Sequence, residues 1–333
     1  MRRMINGRNI LLKVHGSAVN ILLTAVVCTV FASCGGRADN CEDPSVIFAE
    51  AGEAYGRGDL TTCRELLLRV TVLDPENPNV WRNLGTVNLD LGLYDDAISA
   101  YWMVIEIDST RVDVLTDVTG ALVGAGRIEE ALHTGEMSVQ FSPEDGLAFN
   151  NYGMALMESG NYEEAAVCFS TALHREPENS FVLYNCGRIT LLSGDMEGAL
   201  SLFQMAVEAD PGFLQPRIEA ARTLGMLGRH EDAEEQILSV LAVYPSDPEA
   251  LNILALSYSS QGRLEEAVSV LESILENNPD DPVSRLGLAQ CFYQQGDMQN
   301  ALQNYRVFMA SLEDTAGTSE ISARILELEE ICD

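Results

Sequence analysis

The chain has 333 residues, 51 Asp and Glu against 20 Lys and Arg, and a formal charge of −31. A surface of that sign repels phosphate, which argues against nucleic acid or bare anionic lipid as a partner and favours basic proteins. Apolar residues make up 47% of the sequence, enough for a continuous core in an all-helical chain.

Residues 1–33 hold Arg2, Arg3, Arg8 and Lys13 and no acid. Residues 1–16 are basic and 17–33 are apolar and small, ending in Phe31-Ala32-Ser33 before Cys34. A basic start, a short apolar stretch and small residues before a cut mark a secretory signal. A cysteine after Ala-Ser resembles the bacterial lipobox, with Phe31 in place of the usual leucine. That resemblance implies cleavage before Cys34 and lipidation of Cys34, whose acyl chains would give stable membrane attachment. The competing readings are an uncleaved signal anchor and a plain secretory cleavage; the apolar run is short for a span of roughly 20 residues. Residues 34–43 then form a lipidated cysteine and a short polar tether. Without residues 1–33 the chain keeps 16 arginines, 51 acids and no lysine. Nothing in the sequence accounts for the missing lysines.

From residue 44 the chain repeats. Gly58, Gly92, Gly126, Gly160, Gly194, Gly228, Gly262 and Gly296 stand 34 residues apart. With residue 44 as position 1, residues 44–315 form eight repeats without insertion, a helical-hairpin solenoid. Position 20 holds Cys63 and then Ala97, Ala131, Ala165, Ala199, Ala233, Ala267 and Ala301. Position 32 holds Pro75, Pro143, Pro177, Pro211, Pro245 and Pro279, with Ser109 in the second repeat. Position 24 is large in most repeats (Leu67, Tyr101, Phe169, Phe203, Ile237, Leu271, Tyr305), and the exception, Gly135, predicts a looser third repeat.

The columns have physical causes. Glycine at position 15 ends the first helix (A) through a left-handed turn that costs other residues roughly 1 kcal/mol. Alanine at position 20 marks the close approach of helix A and the second helix (B), where a larger side chain would overpack. Proline at position 32 stops helix B. Acid pairs at positions 18 and 19, such as Asp95–Asp96, Glu163–Glu164 and Glu265–Glu266, sit in the first turn of helix B, where the helix dipole favours them. After residue 315, Ile321, Ile325, Leu328 and Cys332 fall at helical spacing, so residues 316–333 read as a C-terminal capping helix.

These columns resemble the tetratricopeptide repeat family. Trp81, Leu84, Gly85, Ala97 and Tyr101 match its pattern in the second repeat, with Asn88 where a tyrosine is usual. Phe149, Tyr152, Gly153, Ala165, Phe169 and Pro177 match in the fourth. The resemblance implies an all-α fold, a right-handed α-solenoid of eight 34-residue helix-turn-helix repeats plus the capping helix. It also implies a concave surface lined by helix A positions 2, 5, 6, 9, 12 and 13. Carried onto this chain, those positions give a peptide-binding groove of Asn150, Asn151, Met154, Tyr184, Asn185, Arg188 and Arg222. An asparagine amide donates and accepts at once, arginine forks onto carboxylates, and methionine adapts to irregular apolar surfaces. The bland alternative is a set of solvated helix residues and core edges, and Glu219 between the two arginines weakens a simple anion site.

An exported chain meets oxidising conditions. Cys168 and Cys186 each lie nine residues from Pro177, on facing arms of one predicted hairpin, the one pair whose spacing admits a disulfide. No cysteine set has metal-ligand spacing. His133, His174 and His230 occupy unrelated repeat positions, and no HExxH, GxSxG, P-loop or dinucleotide motif occurs. The expectation is therefore no enzyme, no metal, no cofactor and no small-molecule substrate. The sequence reads as a membrane-anchored adaptor of the bacterial cell envelope, facing the periplasm or the exterior, that binds peptide segments of partner proteins, basic ones preferred. The alternative is a structural or self-associating envelope component without a peptide groove.

Overall fold

A computed structural model describes residues 43–312 and 318–332. The signal segment, Cys34 and the tether up to residue 42 lie outside the described residues. Among those described there are helices and one 3-10 turn, with no strand. They fall into two compact units that divide between Pro177 and Glu178.

Unit one holds α1 (Pro44–Gly56), α2 (Leu60–Leu73), α3 (Pro78–Asp90), α4 (Tyr94–Ile107), α5 (Leu115–Gly124), α6 (Ile128–Phe141), α7 (Gly146–Glu158) and α8 (Tyr162–Arg175). Unit two holds α9 (Ser180–Leu192), α10 (Met196–Ala209), α11 (Gln215–Met226), α12 (His230–Leu241), α13 (Pro248–Ser260), α14 (Leu264–Asn277), α15 (Pro282–Gln295), α16 (Met298–Ala310) and α17 (Ser319–Cys332). Odd-numbered helices up to α15 are helix A of a repeat and even-numbered ones helix B. Within each unit every helix packs on the next in sequence. The chain is an all-α helical-repeat fold, as the 34-residue period requires.

The glycine column behaves as expected. All eight position-15 glycines adopt φ between +70° and +90°, in the left-handed region. The position-20 column is sealed: Cys63 is 2% exposed and every alanine there 1% or less. Helix starts follow position 34 of the preceding repeat. Asn77, Asp145, Asn179, Asp247 and Asp281 each accept a hydrogen bond from a backbone N–H of the helix that follows. Arg111 and Phe213 occupy the same position without that ability. There helix A begins late, α5 at Leu115 after a 3-10 turn over Val112–Val114, and α11 at Gln215.

A second pairing sets the distance between the helices of a repeat. A Cβ on Gly85 would sit 2.5 Å from the Tyr101 ring, on Gly153 2.9 Å from Phe169, and on Gly187 2.5 Å from Phe203. In the second, fourth and fifth repeats position 8 is glycine opposite an aromatic at position 24, and the ring lies flush on the bare backbone; in the eighth, Ala289 stands at position 8 with Tyr305 at position 24. The third repeat corrects an expectation. Gly135 leaves no void, because the Tyr152 ring of the fourth repeat fills its place, with Cδ2 2.6 Å from where a Cβ would stand. The repeat is not looser; its ring comes from the neighbour.

Arginine links successive B helices. Arg127 donates to Glu130 on its own helix (2.8 Å) and to Asp95 of the preceding repeat (3.2 Å). Arg263 holds Glu266 (2.7 Å) and Glu234 (2.8 Å) in the same way, and Arg229 holds Asp232 at 2.7 Å with Glu197 at 3.9 Å. A planar guanidinium reaches two carboxylates with separate nitrogens, which an ammonium on a flexible stem does less well. That geometry gives a physical reason for arginine over lysine at this column. These pairs are largely exposed, so each contributes only about 0–1 kcal/mol.

Candidate functional site

Seven side chains of helix A were expected to line one groove; they fall in two units and do different things. In unit one, Asn150 is buried, 3% exposed, and its Nδ2 donates to Asn151 Oδ1 at 3.1 Å and approaches Met154 Sδ at 3.7 Å. Asn151 Nδ2 donates to the Thr116 carbonyl at 2.9 Å, tying α7 to α5. The expected amides are thus spent inside the protein, and Asn150 is corrected from groove wall to core. Arg82 of α3 reaches Asp113 and Asp117 at 2.9 Å each. Burial pushes the Asp117 carboxyl above its ordinary range although Arg82 pulls it down.

In unit two, Asn185 is buried and engaged, so it too leaves the groove. The Tyr184 ring packs 5.3 Å from Phe213 and 6.1 Å from Phe203, with the Arg188 guanidinium 5.8 Å from its centroid. Phe181, 54% exposed, stacks on Phe213 at 4.7 Å. Arg222 is exposed but held, by Glu219 at 3.4 Å and by Glu249 of the next repeat. Glu219 was visible from its spacing; Glu249 acts across a repeat and was not singled out. Arg222 is therefore neutralised and no anion receptor.

The open surface of unit two lies further along. A cavity of about 280 Å³ is bounded by α11, α13, α14 and α15. Ile253, Leu256, Val283 and Leu286 are part of its apolar wall, and Gln290 is a polar edge. Leu256 is 63% and Val283 61% exposed. Burying one such side chain fully is worth about 1.5–3 kcal/mol. Leaving two beside each other in water is a local cost that a partner can remove. The sequence carried the signal: these residues sit at positions 2, 5, 6 and 9, the positions read in repeats four to six but not extended to seven and eight.

Of the two cysteines expected to pair, Cys168 lies in unit one and Cys186 in unit two, and each is a free thiol. Both are buried, which pushes Cys168 up to about 11 and Cys186 up to about 12 and leaves little thiolate for exchange. Among the described residues no cluster of His, Cys, Asp and Glu is placed to hold a metal, and no helix is long and apolar enough to cross a membrane.

Comparison with known proteins bears on the fold. The family model described as Tetratricopeptide repeat matches residues 48–110, 150–212, 218–282 and 254–308. No curated protein sequence matches the chain. Among solved structures, the Cut9–Hcn1 hetero-tetramer of APC/C is similar at 12% identity and a TM-score of 0.67 over 85% of this chain, which spans 55% of that one. PilW, titled a widely conserved type IV pilus biogenesis factor, is similar at 17% identity and a TM-score of 0.53, covering 63% of this chain and 98% of its own. A tetratricopeptide repeat protein from Parabacteroides merdae is similar at 16% identity and a TM-score of 0.50, covering 85% and 98%.

Proposed function

The chain belongs to the tetratricopeptide repeat family, and from that premise we propose that it is a non-enzymatic adaptor, anchored to a bacterial envelope membrane through Cys34, that captures segments of partner proteins. Tetratricopeptide repeats serve protein–protein interaction, and the coarse assignment is a protein-binding scaffold. The observation that carries the finer reading is the open apolar cavity of unit two, with Leu256 and Val283 exposed on its wall. Among the described residues that line it, Arg222 alone is charged, and it is already paired. The basic, apolar and small-residue run up to Cys34 supports export and lipid attachment, and the tether to residue 43 would hold the repeats near the bilayer.

One experiment tests both halves. Full-length protein is isolated from its membranes as wild type, as Cys34→Ser and as Leu256→Glu with Val283→Glu. The expected outcome is membrane-bound wild type carrying a co-purifying protein. Cys34→Ser should shift to the soluble fraction, and the double variant should stay membrane-bound without the partner. A Cys34→Ser chain that remains in the membrane would refute the lipid anchor.

A second reading has its own observation. Leu326 is 64% and Ile331 56% exposed on α17, so the cap leaves apolar surface on its outer side. Self-association through that side would appear as concentration-dependent sedimentation abolished by Leu326→Glu.

A further inference from the structure

Resting on the reading of unit two as a protein-binding face, we propose that its cavity selects a partner segment with an apolar middle flanked by lysine or arginine. Leu256, Val283 and Leu286 offer an apolar seat, and among the described residues lining it only Arg222 is charged. Arg222 is engaged by Glu219 and Glu249, so an acidic segment finds no cation there. Gln290 is exposed on the rim and makes no hydrogen bond among the described residues, which leaves an amide to meet a main chain.

The sign of the flanks follows from the surrounding charge. Residues 178–333 contain eight arginines, no lysine and 26 acids. Every one of those arginines already has a partner. Arg217 donates to Gln236, Arg285 to the Pro279 carbonyl and Asn304, and Arg188 is engaged beside Tyr184. Arg229, Arg263, Arg306 and Arg324 are in ion pairs. With 26 acids against eight arginines, residues 178–333 carry a net −18 (8 − 26), so the field around the seat is negative. It steers basic flanks toward the cavity and repels acidic ones, while apolar contact holds the middle.

Three fluorescent peptides with the full chain in zwitterionic lipid nanodiscs test this. The first has a Leu/Val middle with Lys/Arg flanks, the second the same middle with Glu flanks, and the third Lys/Arg flanks around serines. The first should bind at least about tenfold tighter than either other peptide. Its affinity should fall at least about fivefold between low and high salt. Leu256→Gln with Val283→Gln, both exposed positions, should weaken it about tenfold with an unchanged helical spectrum. Equal binding of the Lys/Arg- and Glu-flanked peptides, both lost in the double variant, overturns the charge preference and leaves the groove reading standing. Binding that survives the double variant, or no binding of any peptide, overturns the proposed site. A partner captured from membranes independently of Leu256 and Val283 removes this inference without removing the adaptor function.

Discussion

Gly187→Val is expected to destabilise unit two by about 3 kcal/mol, while Gly187→Ala costs much less. Two effects compete at this position. Glycine in a helix interior is unfavourable by about 0.5–1 kcal/mol against alanine, so the alanine variant gains that much. Against it, the Cβ would stand 2.5 Å from Cε1 and 2.7 Å from Cδ1 of Phe203, a ring with no exposure and nowhere to go. Overpacking a sealed core costs about 1–3 kcal/mol. For alanine the helix gain offsets part of this. Valine adds two methyl groups and loses the propensity gain, so the clash wins. Phe203→Ala alone should cost about 3–5 kcal/mol through the cavity it opens. The combination of Gly187→Val with Phe203→Ala should cost clearly less than the sum, since valine fills the space vacated by the ring. Denaturant melts of the four proteins measure the coupling, and additive losses would contradict the pairing of positions 8 and 24.

Leu328→Ala carries the second large effect, about 2–5 kcal/mol, and confines it to one end of the chain. Leu328 is fully buried and joins Ala289, Ala301, Leu302 and Tyr305 in one cluster, with Ile321, Ile325 and Cys332 packed around it. The capping helix touches α16 over that surface. A repeat array is stabilised by intrinsic and nearest-neighbour terms, so losing the cap interface should fray the last repeat first. Hydrogen exchange should rise in α15, α16 and α17 while α10 and α11 keep their protection. A uniform rise along unit two would show that the cap is no separable lid.

Much of this architecture was legible in the residues themselves. The left-handed turns were written in the position-15 glycines and the helix contacts in the position-20 alanines, because each depends on one residue meeting one steric demand. The inward face of α17 was legible from Ile321, Ile325, Leu328 and Cys332 for the same reason. What failed to read through was relational. Gly135 looked like a gap because the ring that fills it, Tyr152, belongs to the next repeat. Asn150 and Asn185 looked like groove amides, yet both are buried, which position within a repeat does not specify. Arg222 looked like a free cation until Glu249, 27 residues away, was placed beside it. The cavity at Leu256 and Val283 used positions already recognised, and only the step to repeats seven and eight was missing.

The central claim is that partner protein lies on the A-helix face of unit two. A photo-crosslinking residue at position 256 tests it in intact cells against the same residue at 238, an exposed site on helix B (α12). A discrete higher-mass adduct is expected from position 256, identifiable by mass spectrometry, and none from position 238. An adduct from position 238 alone would place the partner on the opposite helices and contradict the account.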